Sequence, residues 1–231
     1  MQCALACLPF AGGGASFFRA WKELPVDGVS IVPIQLPGRE ELFAETPHRD
    51  AVTAAGALAD QVAELTAGYD RVALFGHSLG AVIAFEIGRR FDQNGDRRLR
   101  HLFVSGSPGP WSVRQDRATG LSDAEFVAKV EEFAGYQHEA LADPDLREIL
   151  LPPLRADVEM HENYRPPDDR PLGVPVTSLR GADDALVTQQ EAEQWARATT
   201  ADFRYLEVPG GHMYLAESAP ALLRRLSALA H

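Results

Sequence analysis

The sequence predicts an α/β fold in which a mostly parallel β-sheet is covered by helices on both faces. Three observations predict it. Short apolar, often β-branched runs alternate with stretches of helical period, the pattern of repeated βαβ units. The chain has 231 residues, 45% hydrophobic and 24% charged, which suits one domain that can bury its core without disulfides or metals. Glycine-rich turns fall where strands should end, as in AGGGAS after the first apolar run.

Taken in order, ALACLP (4–9) reads as a buried strand, AGGGAS (11–16) as a glycine loop, and FFRAWKEL (17–24) as a helix. VSIVPIQL (29–36) is a β-branched strand closed by Pro37 and Gly38. Residues 50–67 carry apolar positions near i, i+3, i+4 and i+7 and form an amphipathic helix. RVALFG (71–76) is the third strand, and the helix after it, 79–93, ends near Asn94-Gly95. HLFVSG (101–106), VPVTSLRG (174–181) and DFRYLEVP (202–209) are the remaining strands, with helices at 189–199 and 215–229. Residues 107–173 break the rhythm, because LSDAEFVAKVEEFAG and DPDLREILLPPLRADVEMHENY are helical and no strand separates them. Open α/β sheets bind ligands at the carboxyl ends of their strands. An insertion over about 108–170 is therefore expected to form a lid within a single domain spanning 1–231.

Composition excludes several classes. Cys3 and Cys7 form no CxxC pair or Cys/His cluster, so a structural zinc site is not expected and both thiols read as buried and reduced. No basic, apolar and cleavage-site sequence opens the chain, and no apolar run approaches the roughly 20 residues that span a bilayer. A cytoplasmic protein with no membrane partner is expected. The net charge of −11 argues against nucleic acid.

The chemistry gathers around GHSLG. Gly76, Ser78 and Gly80 satisfy G-x-S-x-G, a pattern that a chain with 19 glycines would carry by chance about 0.07 times. A strand precedes it and a helix follows, as a nucleophile elbow requires. Ser78 then sits on a strained turn at a helix N-terminus, and glycines two residues either side let strand and helix approach. A serine needs a base. His77 lies inside the turn and reads as structural, with its side chain directed away from Ser78; His48 and His101 lie near element starts. His138 and His161 fall in the expected lid, and His231 is terminal. His212, in PGGHMYL after the last strand, lies at the same rim as Ser78 and is the candidate general base. RGADDALV after the fifth strand offers Asp183 or Asp184 as the orienting carboxylate, and spacing does not choose between them. The chain order Ser, Asp, His is that of α/β-hydrolases. The backbone N–H of Leu79 is one oxyanion donor, and the loop PFAGGGAS supplies the second. A dinucleotide reading of that loop fails: Gly12 and Gly14 fit G-x-G-x-x-G, but Phe17 stands where the last glycine belongs, and no acidic residue ends the next strand.

These segments resemble the stand-alone type II thioesterases of polyketide and nonribosomal peptide pathways over nearly the whole chain. LPFAGGGASFF is similar to the family's opening PHAGGSASSF, and IQLPGRE to its QLPGRE run. LFGHSLGAVIAFE, including Glu86, matches the nucleophile segment, and ENYRP and GGHMYL match later runs. The resemblance implies the α/β-hydrolase fold and a Ser78, Asp184, His212 triad. Asp184 follows from aligning the family's G-D-x-D-x-x-V on Gly181, Asp184 and Val187. The oxyanion donors would be the amides of Ala11 and Leu79. It further implies hydrolysis of acyl groups from the phosphopantetheine arm of acyl or peptidyl carrier proteins, by a monomer, with no metal or cofactor. Phe10, Ala182 and Met213-Tyr214 depart from the family pattern, and relatives usually carry a short leader before the first strand, so an early or trimmed start is expected here. Because carrier proteins are acidic, a local basic or apolar patch at the site mouth, including Arg19 and Lys22, is expected. A carboxylesterase or a chain-releasing or cyclising thioesterase are the competing readings, along with an inactive binding module on the same fold.

Overall fold

The computed structural model describes residues 2–112, 117–134 and 139–230. Among them, one parallel sheet is built from β1 (Cys3–Leu8), β2 (Val29–Pro33), β3 (Arg71–His77), β4 (Leu99–Ser105), β5 (Val176–Gly181) and β6 (Phe203–Val208). The strands lie in the order β2-β1-β3-β4-β5-β6, each parallel to its neighbour. β2 stops at Pro33, short of the expected residue 36, although Ile34 N–H still donates to Cys7 O. Proline has no N–H for a ladder, and β2 tolerates it as an edge strand.

The helices are α1 (Ala15–Arg19), α2 (Ala51–Leu65), α3 (Leu79–Gln93), α4 (Asp123–Ala134), α5 (Glu139–Ala142), α6 (Pro144–Asn163), α7 (Gln189–Glu193), α8 (Tyr214–Glu217) and α9 (Ala219–Leu229). Asp50 caps α2 by accepting from Thr53 N–H at 2.7 Å, and Thr188 with Glu191 forms a capping box on α7. Three stretches expected as single helices are divided. α1 tightens into a 3₁₀ turn at Ala20–Glu23, and Leu24 then turns extended, as a residue before Pro25 must. α7 likewise tightens over Gln194–Ala198, where buried Trp195 donates its indole N–H to Ser107 O at 2.9 Å. Pro220 lies in the first turn of α9, where its missing N–H costs nothing but cannot extend α8.

Side chains alternate across the sheet. Ala4, Ala6 and Leu8 pack with α2 and α3 on one face, and Cys3, Leu5 and Cys7 with α1 and α9 on the other. Both cysteines are free and buried, and burial pushes the Cys7 thiol far up, so each packs as a small neutral hydrophobe. A third cluster, including Phe126, Leu151 and Leu154, belongs to the helices between β4 and β5, and Ala11 of the glycine loop packs against it.

His101 on β4 is buried, stacked on Phe103 at 4.1 Å, with Nε2 2.8 Å from Thr177 Oγ1. Burial, with Arg204 adding, holds its pKa down to about 4. The unfolded chain takes up this proton from about pH 6.5 downward while the folded chain does not, so stability falls as pH drops through that window. The full shift corresponds to about 3 kcal/mol. In urea melts, His101→Gln is expected to lose less stability than the wild type between pH 7 and pH 4.5. Equal losses would remove His101 as the cause.

Candidate active site

The chain leaves β1 towards β2 on one side and leaves β3 towards β4 on the other. Their carboxyl-terminal loops therefore diverge and open a crevice between adjacent strands, where Leu8 is in register with Gly76. The glycine loop follows β1, Ser78 follows β3, Asp184 follows β5 and His212 follows β6. All four segments reach the same rim of the sheet.

Ser78 has φ 52° and ψ −114°, a conformation that side-chain-bearing residues rarely adopt. Its surroundings fix it there. Ser78 N–H donates to Ser105 O at 2.8 Å, extending the β3–β4 ladder into the turn. A Cβ on Gly76 would lie 2.0 Å from Gly80 O, and one on Gly80 would lie 2.3 Å from Leu8 O. Only glycine lets strand, turn and helix meet so closely. α3 begins at Leu79, so its first-turn amides have no preceding turn to pair with and present a positive dipole end beside the serine.

The loops after β5 and β6 are fastened to each other. Ala182 N–H donates to Val208 O at 2.7 Å and Asp183 N–H to Gly210 O at 2.9 Å, while a Cβ on Gly181 would lie 2.3 Å from Gly211 O. This places His212 Nδ1 2.8 Å from Asp184 Oδ2. Asp184 is buried, and its Oδ1 accepts from Leu186 and Val187 N–H at 2.8 and 3.2 Å. Burial alone would raise this carboxyl, but the His212 ring and the two amides outweigh it and hold its pKa below the usual carboxylate range. Asp183 is exposed and offers its backbone, not its carboxylate, to the neighbouring loop. Ser78, His212 and Ala11 line one cavity of about 1570 Å³.

His77 is fully buried, in keeping with a structural role, but its closeness to the candidate base was not expected from the sequence. Its ring does not turn away from the site but lies 4.8 Å from the ring of His212. Its Nδ1 is 2.8 Å from Ser105 Oγ, which in turn bonds Tyr214 OH, and Phe10 meets it edge-on. Burial, reinforced by His212, holds its pKa far down, so the ring is neutral. Gly106, at φ 55°, leaves room for both rings, since its Cβ would lie 2.5 Å from His77 Cε1 and 3.1 Å from His212 Cε1. Ser105 and Gly106 carried no sequence signal beyond their place at the end of β4, and Tyr214 stood out only as part of GGHMYL, with nothing to show that its hydroxyl reaches Ser105. His161 also lines the cavity; His138 and His231 lie outside the described residues.

Two motif segments meet behind the elbow. Tyr164 OH, from ENYRP, donates to Glu86 of α3 at 2.7 Å, and Glu86 also faces Arg89 at 3.6 Å. The cavity is walled by Phe17, Trp21 and Met213 on one side and by Leu150, Leu154 and Val158 on the other. Exposed Phe43 and Ile149 also border it. Arg19 does not present a bare cation there, because Glu41 bonds it and Glu40 lies 3.6 Å away; Lys22 is exposed. Among the described residues, no helix is long and apolar enough to cross a membrane.

A family model described as Thioesterase domain matches residues 4–229. The gramicidin S biosynthesis protein GrsT of Aneurinibacillus migulanus is 36% identical over 216 residues, covering 93% of this chain and 83% of that protein. Among solved structures, the type II thioesterase BorB from the borrelidin biosynthetic cluster is 34% identical, with a TM-score of 0.89 over 100% of this chain and 94% of that one. The RedJ thioesterase from the prodiginine biosynthetic pathway of Streptomyces coelicolor is 35% identical, with a TM-score of 0.87 over 98% and 85%. The chain belongs to the thioesterase family and is a hydrolase of the α/β-hydrolase fold.

Proposed function

We propose that this protein hydrolyses acyl thioesters from the phosphopantetheine arm of acyl or peptidyl carrier proteins, clearing aberrant or stalled chains in polyketide or nonribosomal peptide biosynthesis. The observation that carries this reading is the His212–Asp184 contact at 2.8 Å on the wall of the cavity that also holds Ser78. The names and folds of GrsT, BorB and RedJ support the substrate class.

Ser78 attacks the thioester carbon while His212 Nε2 takes the hydroxyl proton, and Asp184, on Nδ1, stabilises the imidazolium. The oxyanion is received by the amides of Leu79, at the head of α3, and Ala11, in the glycine loop, each donor contributing about 3–4 kcal/mol in the transition state. The C–S bond breaks as His212 returns its proton to the departing thiol. Water then loses a proton to His212, attacks the acyl-enzyme and frees the acid. The chemistry needs no metal or cofactor beyond the pantetheine of the substrate. The described helices within 108–170 act as a lid of a single domain, their apolar residues forming one wall of the acyl chamber. The carrier protein meets the exposed apolar residues Phe43 and Ile149 at the cavity border rather than a basic patch, and the enzyme works as a cytoplasmic monomer.

The test compares a panel of acyl-carrier-protein thioesters with simple oxygen esters of the same acyl groups. kcat/KM for the carrier thioester is expected to exceed that for the ester by about 100-fold or more, through binding energy from the parts of the substrate remote from the reacting bond. Equal values would make the chain a general carboxylesterase.

A further inference from the structure

Asp157 lies on α6, two turns from the end of the helix, and is buried, 1% exposed. Its carboxylate points into the glycine loop that follows β1. Oδ2 accepts from Gly12 N–H at 2.8 Å, and both oxygens accept from the Arg39 guanidinium, Oδ1 at 2.8 Å. Arg39, from the QLPGRE run and 8% exposed, also donates to Gly13 O at 3.0 Å and Pro37 O at 3.3 Å. Two segments distant in sequence thus converge on two consecutive glycines.

Those glycines form a particular turn. Gly13 N–H donates to Phe10 O at 2.9 Å, and Gly12, in the third position, has φ 76°. That sign is what a type II turn demands and a type I turn forbids. The two types differ by a flip of the central peptide, here Ala11–Gly12. In the flipped form the Ala11 carbonyl would face the Asp157 carboxylate where the Gly12 N–H now stands. Asp157 therefore selects one of two turns, and Arg39 holds both the carboxylate and the loop carbonyl beside it.

We propose that Asp157 and Arg39 are positioning residues of the acyl-transfer site. The carboxylate that α6 delivers fixes the Ala11–Gly12 peptide, and with it the turn on which the Ala11 N–H is mounted. The oxyanion site is thereby complete only when α6 is seated on the glycine loop. This rests on the role proposed for the Ala11 amide.

Two variants separate positioning from simple bracing. Asp157→Asn keeps an oxygen for Gly12 N–H but gives up the ion pair. It is expected to lower Tm while leaving kcat within about 5-fold of wild type. The double variant Arg39→Met, Asp157→Leu replaces a buried pair with apolar side chains of similar volume, which folds tolerate. It leaves backbone groups of Gly12, Gly13 and Pro37 without partners but no unpaired charge, so it is expected to keep a Tm at or above that of Asp157→Asn yet lose kcat about 30-fold or more, with KM within about 3-fold, as misplacement of a transition-state donor does. Stability and turnover then move in opposite senses in the two proteins. The inference is overturned if kcat follows Tm in both, or if the double variant turns over at the wild-type rate. Should the double variant not fold, Asp157→Leu alone, which removes the acceptor of Gly12 N–H, is compared with Asp157→Asn: kcat lost about 30-fold or more in the leucine variant and kept in the asparagine variant supports the inference, and equal kcat in the two overturns it. Ser78→Ala run alongside separates the two levels: turnover retained there would remove the whole site assignment, whereas turnover lost there but kept in the double variant removes only the role of Asp157.

Discussion

Ser78→Ala is expected to lower kcat for an acyl-carrier thioester by about 10⁴-fold or more while the protein stays folded. The loss is large because Ser78 and His212 act as one unit: without Oγ there is no acyl-enzyme for His212 to hydrolyse. What survives is direct attack by water, aided by the oxyanion amides alone. Folding is unaffected because the strain at φ 52° belongs to the backbone, which alanine shares, and because the Ser78 N–H still donates to Ser105 O. KM should change little, since the cavity walls are intact. Thiol release followed with a chromogenic thiol reagent gives kcat, and a fluorophosphonate probe should label the wild type and not the variant. Turnover near the wild-type rate, or undiminished labelling, would remove Ser78 from the chemistry.

Gly80→Ala is expected to have the largest effect on stability, more than about 4 kcal/mol, so that little folded protein accumulates. Its Cβ would lie 2.3 Å from Leu8 O and 2.7 Å from Pro9 O, and both are backbone atoms, on the interior strand β1 and the loop leaving it. No side-chain rotation relieves that overlap. Either α3 lifts from β1, opening a void among Leu79, Ile83 and Leu8, or the oxyanion loop is pushed out of place. Gly68→Ala is the natural control, because a Cβ there meets nothing within 4 Å and the change should stay within about 1 kcal/mol of wild type. Urea midpoints of the two variants test the pair. A Gly80→Ala protein as stable as Gly68→Ala would mean that the elbow is far more pliable than its contacts suggest.

The parts of this site that were legible in the sequence are those governed by local backbone rules. G-x-S-x-G between an apolar strand and an amphipathic helix specifies a turn of one kind, and the observed α3 has the expected ends, Leu79 and Gln93. Spacing alone could not choose Asp184 over Asp183, because neighbouring residues in a loop face different ways, and the decision rests on amides two and three residues on, at Leu186 and Val187. The closeness of the His77 ring to His212 has a tertiary cause that the sequence does not carry: Gly106 of another strand end creates the space in which the two rings meet. The partnership of Arg39 with Asp157 spans 118 positions and leaves no local trace. QLPGRE is recognisable as a motif, but the partner of its arginine exists only once α6 is folded over it.

The sheet order also has a bearing on biosynthesis of the protein itself. The proposed nucleophile follows the third strand from the amino end, whereas its proposed base and orienting carboxylate follow the last two strands, past residue 180. β6 is an edge strand and joins last in both sequence and space. A chain still emerging from the ribosome can form the strained serine turn long before it owns a histidine to activate it. On the proposed mechanism, hydrolytic competence therefore appears only at the end of synthesis, when β5 and β6 have brought Asp184 and His212 to the serine turn.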